Sequence, residues 1–307
     1  MDYRQALAEG QARLAAAGMN EAPLDARLLM QHAAGFDHTA LISRMHEAMP
    51  ADLPAVYEEL IARRLAGEPV SRIIGRREFY GLEFAVTPAV LDPRPETETL
   101  VDRVLDDWRG VAGQNAGPLR FADIGTGSGA IAVALLTHLP ASRCVASDIS
   151  PDALAIAAAN ARAHGVAGRI ELVHADFAEG LVGPFDFVVS NPPYIASGDI
   201  GGLSREVKAH DPVLALDGGG DGFDAFRALF ATVGDLLKPG GRLYMEMGAG
   251  QEEGLRELAA ASDWDVIEVI ADMAGIGRVA VARLRQYASQ LQSASLQKTL
   301  GITEGKR

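Results

Sequence analysis

The chain has 307 residues, 48% of them apolar, and a formal net charge of −13. That apolar content supplies packed cores for about two domains and excludes a chain disordered throughout. The acidic balance argues against a large electrostatic footprint on nucleic acid, where affinity rests on phosphate neutralisation.

The longest apolar runs, such as Ala130–Leu136, fall far short of the roughly 18 residues of a membrane span, so no membrane association is expected. The N-terminus mixes Asp2, Arg4, Glu9 and Arg13 into an Ala-rich pattern and lacks the basic and apolar regions of a signal peptide, which predicts a cytoplasmic location. Cys144 is the single cysteine, which removes an intrachain disulfide framework. The seven histidines form no H-x-x-x-H or H-x-H pair, so no protein-held metal is expected.

From Met1 to about Gly67, Leu7 and Leu14, then Leu24, Leu28 and Leu29, then Val56, Leu60, Ile61 and Leu65 recur at helical spacing, with Gly18, Gly35 and Pro50 between runs. This predicts a small helical domain over residues 1–67. Next come Arg63, Arg64, Arg72, Arg76 and Arg77 against Glu68 alone, read as a solvated face, with a partner-binding patch as the alternative. Glu78–Val86 turns aromatic and β-branched around Gly81, which predicts a short hairpin within a linker over residues 68–110.

Beyond the Gly/Pro/Asn-rich stretch Gly110–Pro118, short buried-strand patterns occupy Phe121–Ile124, Cys144–Ile149, Ile170–Val173, Phe185–Val189, Leu243–Met247 and Val266–Ile270. Helical runs over Ala130–Leu139, Ala153–His164 and Phe223–Leu237 separate most of them. Alternating strands and helices predict an α/β domain over residues 111–285, with a mostly parallel sheet covered on both faces. Arg278–Leu284 follows Val266–Ile270 without room for a helix, so one antiparallel strand is expected at the sheet edge. Residues 286–307 are Gln/Ser/Thr/Lys-rich and read as a disordered tail.

Asp123-Ile-Gly125-Thr126-Gly127-Ser128-Gly129 falls where the first strand of this domain meets a helix, so its glycines permit a tight turn and a close ligand. No Lys-Ser/Thr follows, as in a phosphate-binding loop, and the Gly-x-Gly-x-Gly spacing differs from the dinucleotide pattern. A ligand with little phosphate remains. Asp148, 19 residues past Gly129, stands where a carboxylate accepts from both ribose hydroxyls; capping the helix after Pro151 is the structural alternative.

Ser190-Asn191-Pro192-Pro193-Tyr194 follows a buried strand, at the sheet edge where ligands bind. The two prolines hold the local carbonyls rigid, and Asn191 adds a side-chain acceptor. Two convergent acceptors recognise an NH2 group, and Tyr194 offers a face for its planar carrier.

These motifs resemble class I S-adenosylmethionine-dependent methyltransferases, whose sheet is Rossmann-like. Gly67-Glu-Pro-Val70, Arg77-Glu-Phe-Tyr-Gly-Leu82, Leu91-Asp-Pro-Arg-Pro-Glu-Thr-Glu98 and Leu214-Ala-Leu-Asp-Gly-Gly219 further resemble the HemK/PrmC family, protein-(glutamine-N5) methyltransferases acting on peptide chain release factors. The resemblance spans approximately Leu24 to Leu284. Two positions depart from the family pattern: Asp92 fills an often aliphatic slot, and Phe177 stands where other members carry Trp.

The resemblance implies S-adenosylmethionine as cofactor, with S-adenosylhomocysteine as product. Gly125, Thr126, Gly127, Ser128, Gly129, Asp148 and Asn191 would hold it, and Phe177 would stack on adenine or else pack in the core. Asn191, Pro192, Pro193 and Tyr194 would bind the substrate amide, with Asn191, Pro192 and Tyr194 at the reacting group. The substrate would be the glutamine of the release factor Gly-Gly-Gln loop; because a remote surface can position a reacting group, residues 1–67 with the Arg63–Arg77 cluster and the hairpin near Gly81 are expected to dock it, with stabilisation of the sheet as the alternative role. Alternatives are a ribosomal-protein glutamine, a DNA adenine, and a non-catalytic nucleoside-binding module docking translation factors. No stable nucleic-acid binding is expected.

Overall fold

The computed structural model describes residues 1–110 and 118–285, so the expected tail lies outside the described residues. The chain opens with helices α1 (Tyr3–Ala16), α2 (Ala22–Ala34), α3 (His38–Ser43), α4 (Leu53–Leu65) and α5 (Val70–Ile74). Local chemistry sets their ends. Asp2 and Gln5 form a reciprocal capping box on α1, Asp37 caps α3, and Gly35 closes α2 in the left-handed conformation. Leu14, Leu29, Met30, Leu41, Ile61 and Ile73 are buried together in a core of their own. Since α5 contributes Ile73 to that core, the helical unit runs past Gly67.

Strands β1 (Arg76–Phe79) and β2 (Leu82–Ala85) form the hairpin, turning through Tyr80 and Gly81, both at positive φ. Helix α6 (Glu98–Trp108) then buries Leu100, Val101, Val104 and Leu105. The rest of the domain is β3 (Arg120–Ile124), α7 (Ala130–His138), β4 (Arg143–Asp148), α8 (Pro151–Ala163), β5 (Ile170–His174), β6 (Phe185–Ser190), α9 (Arg205–His210), α10 (Asp224–Thr232), β7 (Leu237–Glu246), α11 (Glu252–Ala261), β8 (Trp264–Ala271) and β9 (Gly277–Leu284).

The seven-stranded sheet has the order β5-β4-β3-β6-β7-β9-β8. Pairing is parallel from β5 through β7, and β9 runs antiparallel to both β7 and β8. The antiparallel hairpin thus lies at the sheet edge, with the reversed strand as its inner member. Composition accounts for this placement: Val279–Ala282 are all buried, whereas β8 carries Asp265 and Glu268 outward. Period-two alternation serves both faces. Phe121, Phe187, Val189, Tyr244 and Val281 face a core with α6 and α7, while Ala122, Val188, Leu243, Met245 and Ala282 face α10 and α11. Helix α7 is buried along Ala130–Leu136, which explains its uninterrupted apolar run.

The arginine cluster divides: Arg63 and Arg76 lie on the solvated face expected of it, whereas Arg64 and Arg72 do not. Arg63 pairs with Glu68, Arg76 with Glu83, Arg64 with Asp25 and Glu206, and Arg72 with Asp211. Arg64 and Arg72 are buried, because each carboxylate partner is supplied from another part of the chain. Two of these contacts, Arg64–Glu206 and Arg72–Asp211, clasp the helical unit to residues 206–211. Among the described residues, no helix is long and apolar enough to cross a membrane.

Candidate active site

A cavity of about 630 Å³ opens at the carboxyl ends of β3, β4 and β6, a size suited to a cofactor-sized molecule. The glycine turn forms its floor: Gly125, Thr126, Gly127 and Ser128 line it, and Gly129 does not. Gly125 and Gly127 adopt φ of +72° and +55°, which L side chains rarely tolerate. Gly129 serves packing instead. A Cβ built there would lie 3.2 Å from the Ala157 Cβ, so the missing side chain lets α8 approach the turn.

The turn is tied down from below and from the side. Gly125 and Thr126 donate their N–H groups to the Ser147 carbonyl, and the Thr126 hydroxyl donates to Asp123 Oδ2 at 2.6 Å. Asp123 is fully buried, and desolvation pushes its carboxyl up to about 7 against the lowering effect of the Thr126 bond. Asp148 lines the cavity and accepts from the N–H groups of Gly127 at 2.8 Å and Ser150 at 2.9 Å. Helix α8 is capped by Ser150, so the capping role considered for Asp148 belongs to its neighbour. A carboxylate has about four lone-pair sites, so Asp148 keeps acceptor capacity toward the cavity.

Asp176 and Phe177 also line the cavity. Phe177 has φ of +46°, a strained value for an aromatic residue, and the Ser147 hydroxyl holds its carbonyl at 2.8 Å. Its ring packs partly on the second face of the sheet, so core packing and cavity lining coexist there.

After β6, Asn191 and Pro193 line the cavity, whereas Pro192 and Tyr194 do not. Pro192 is buried, and its carbonyl accepts no hydrogen bond from the described residues. Tyr194, expected to offer its face to the ligand, donates its hydroxyl to Glu246 Oε1 at 3.2 Å and is not part of the cavity lining. Burial and the adjacent Glu246 carboxylate raise the Tyr194 phenol well above its ordinary value, so it stays a neutral donor. The Asn191 amide donates to Thr97 Oγ1 at 3.2 Å, and Thr97 donates to Glu246 Oε2 at 2.5 Å.

The opposite wall combines residues 89–94 with residues 212–219. Asp211 clamps it, accepting from Arg72 at 2.8 Å and from Arg94 at 2.5 Å. Gly218 packs on the Asn-Pro-Pro-Tyr turn so closely that a Cβ would lie 2.8 Å from the Pro193 carbonyl oxygen. Gln251 Nε2 holds the Tyr194 carbonyl at 2.9 Å.

Sequence reasoning missed Thr97, Arg94, Glu246 and Gln251 as parts of this assembly. The available signals were an acid directly after the buried run Leu243–Met245 of β7 and the dense polar run Arg94–Glu98. Among the described residues, no group of three or more His, Cys, Asp or Glu is arranged to hold a metal ion.

Comparison with known proteins adds to this geometry. Residues 5–75 match the family model described as the PrmC N-terminal domain, and residues 114–206 match the methyltransferase small domain. The release factor glutamine methyltransferase of Bradyrhizobium diazoefficiens is 46% identical over 89% of this chain and 91% of its own length. That of Moorella thermoacetica is 41% identical over 93% of this chain and 100% of its own length. The solved hMettl16 catalytic domain, in complex with MAT2A 3′UTR hairpin 6, aligns at 20% identity over 68% of this chain and 77% of that one. Its TM-score of 0.53 shows a shared fold.

Proposed function

This chain belongs to the release factor glutamine methyltransferase family, and from that membership we propose that it methylates the side-chain amide nitrogen of the Gly-Gly-Gln glutamine in peptide chain release factors. The observation that carries the reading is that the glycine turn, Asp148 and Asn191 line one cavity.

The residues present fit S-adenosylmethionine. Gly125 and Gly127 have nothing within 4 Å of a built Cβ, leaving room over the turn for the methionine portion. Asp148 retains acceptor capacity for ribose hydroxyls, and Phe177 lines the wall where a planar base would lie. When bound, this cofactor supplies an electrophilic methyl group, and S-adenosylhomocysteine remains after the amide nitrogen has taken it and released one proton.

An amide nitrogen is a weak nucleophile because its lone pair is delocalised into the carbonyl, so positioning is the chief service the protein renders. Asn191 Oδ1 and the Pro192 carbonyl accept from the two N–H bonds of the glutamine amide and aim its nitrogen into the cavity. Pro193 keeps the turn stiff. Tyr194 supports the turn from behind through Glu246, a different role from the stacking expected of it. Alignment of this kind supplies ~7–11 kcal/mol in well-oriented reactions. Val213 and Leu214 line the cavity yet are exposed, so they offer apolar surface at its mouth to an incoming protein loop. The helical unit over residues 1–74, clasped to this wall through Arg64–Glu206 and Arg72–Asp211, docks the body of the substrate protein.

Asn191→Ala tests the reading. Single-turnover methylation of release factor at saturating S-adenosylmethionine should be lost while the thermal midpoint stays near that of the unmodified protein. Near-normal turnover in that variant would overturn amide recognition by Asn191.

A further inference from the structure

Glu246 lies at the carboxyl end of β7, 2% exposed, and is not among the residues lining the cavity. Both of its oxygens are nevertheless engaged, Oε2 by the Thr97 hydroxyl and Oε1 by the Tyr194 hydroxyl. Burying an acid costs free energy, and this one sits between a cavity-lining threonine and the tyrosine of the Asn-Pro-Pro-Tyr turn.

The direction of each hydrogen bond follows from simple donor counting. The Thr97 hydroxyl donates to Glu246 Oε2, so its single proton is committed there. The Thr97 oxygen then has only lone pairs left. The end of the Asn191 side chain facing it, 3.2 Å away, must therefore be the NH2 group. Because the amide is planar, Oδ1 is turned to the other side. A flipped Asn191 would set its NH2 against the Thr97 lone pairs no longer, and would present a donor to the donor groups of the substrate amide.

We propose that Glu246 and Thr97 are positioning residues, a proton-ordered relay that fixes which end of the Asn191 amide meets the substrate. The inference rests on Asn191 serving as acceptor for the glutamine NH2. It extends that reading to two residues 149 positions apart in sequence, one on β7 and one at the start of α6. Tyr194 completes the relay by donating to the second carboxylate oxygen, which leaves Glu246 an acceptor toward both partners. Burial, with the charge of Glu96 adding to it, raises the Glu246 carboxyl above its ordinary value, and the Thr97 and Tyr194 hydroxyls and the positive charge of Arg278 oppose that rise.

Three substitutions separate orientation from packing. Thr97→Val keeps the shape and removes the hydroxyl, Thr97→Ser keeps the hydroxyl, and Glu246→Gln replaces the obligate acceptor by a group that also donates. Single-turnover methylation of release factor and calorimetric binding of S-adenosylmethionine are measured on each full-length variant. The expected result is a loss of roughly a hundredfold in rate for Thr97→Val and Glu246→Gln, the scale of a misplaced reacting group. Cofactor affinity should hold within about twofold, and Thr97→Ser should restore most of the rate; these bounds are those of a defect confined to orientation. A folded Thr97→Val enzyme at full rate would overturn the relay, as would equal losses in the serine and valine variants. If Glu246→Gln does not fold, the Thr97 pair still decides the question. A wild-type protein that leaves release factor unmethylated would instead overturn the glutamine reading itself, whatever the variants do.

Discussion

Asp148 accepts two backbone N–H groups of its own chain and still faces the cavity, so its removal has two separable effects. Asp148→Ala should weaken S-adenosylmethionine binding by about 1.5–3 kcal/mol, the range for hydrogen bonds to a charged acceptor. Unchanged affinity by calorimetry in the folded variant would remove Asp148 from the cofactor site. Asp123, beneath the same turn, titrates in the opposite sense to an ordinary ion-paired acid. Its carboxyl is raised by burial to about 7, so the stability associated with its protonated form is fully present below the ordinary value of 3.8. That stability is lost as pH rises to about 7. Urea midpoints across this window should therefore fall with pH in the native protein and fall less in Asp123→Asn. Parallel pH profiles for the two proteins would contradict the assignment. At this scale the glycine turn, Asp148 and Asn191 stand out in the sequence as local motifs, and the fold brings them, Gly129 apart, to one cavity. Glu246 and Thr97 do not stand out, since their pairing depends on a tertiary contact that no local pattern encodes.

The elements show a similar division. Helix α7 and strands β3, β4 and β6 announce themselves by apolar runs ending in Gly or Pro, and the hairpin by Tyr80-Gly81 between alternating residues. Helix α6 falls inside the stretch read as hairpin and linker. Its apolar residues Leu100, Val101, Val104 and Leu105 are interleaved with Asp102, Arg103, Asp106 and Asp107, so only the amphipathic period marks it. Helix α10 stops at Thr232, short of the predicted Leu237, and β7 begins at Leu237, pairing with β6 through a register shift between Phe185 and Phe187. The packing of α8 on the glycine turn yields a further test. Gly129→Ala places a Cβ against Ala157 and at positive φ, so a loss of ~1–3 kcal/mol in folding stability is expected. An unchanged urea midpoint would show that α8 has room to spare.

At the scale of the whole molecule, a helical unit and a methyltransferase sheet are tied together by two ion pairs, the buried Arg72–Asp211 and the partly exposed Arg64–Glu206. Sequence composition located the two units and missed their junction, because Arg64 and Arg72 look like surface charges until Asp25, Glu206 and Asp211 are brought to them. The joined surface carries the cavity mouth, proposed above to receive the Gly-Gly-Gln loop of a release factor. The most direct measurement supplies methyl-labelled S-adenosylmethionine to the full-length protein with release factor, a peptide of its glutamine loop, ribosomal protein and DNA in parallel, and maps the label by mass spectrometry. Label on the loop glutamine amide of intact release factor, with less on the free peptide and none on DNA, is the predicted result. Label confined to ribosomal protein or to DNA adenine, or absent from every substrate, would contradict it.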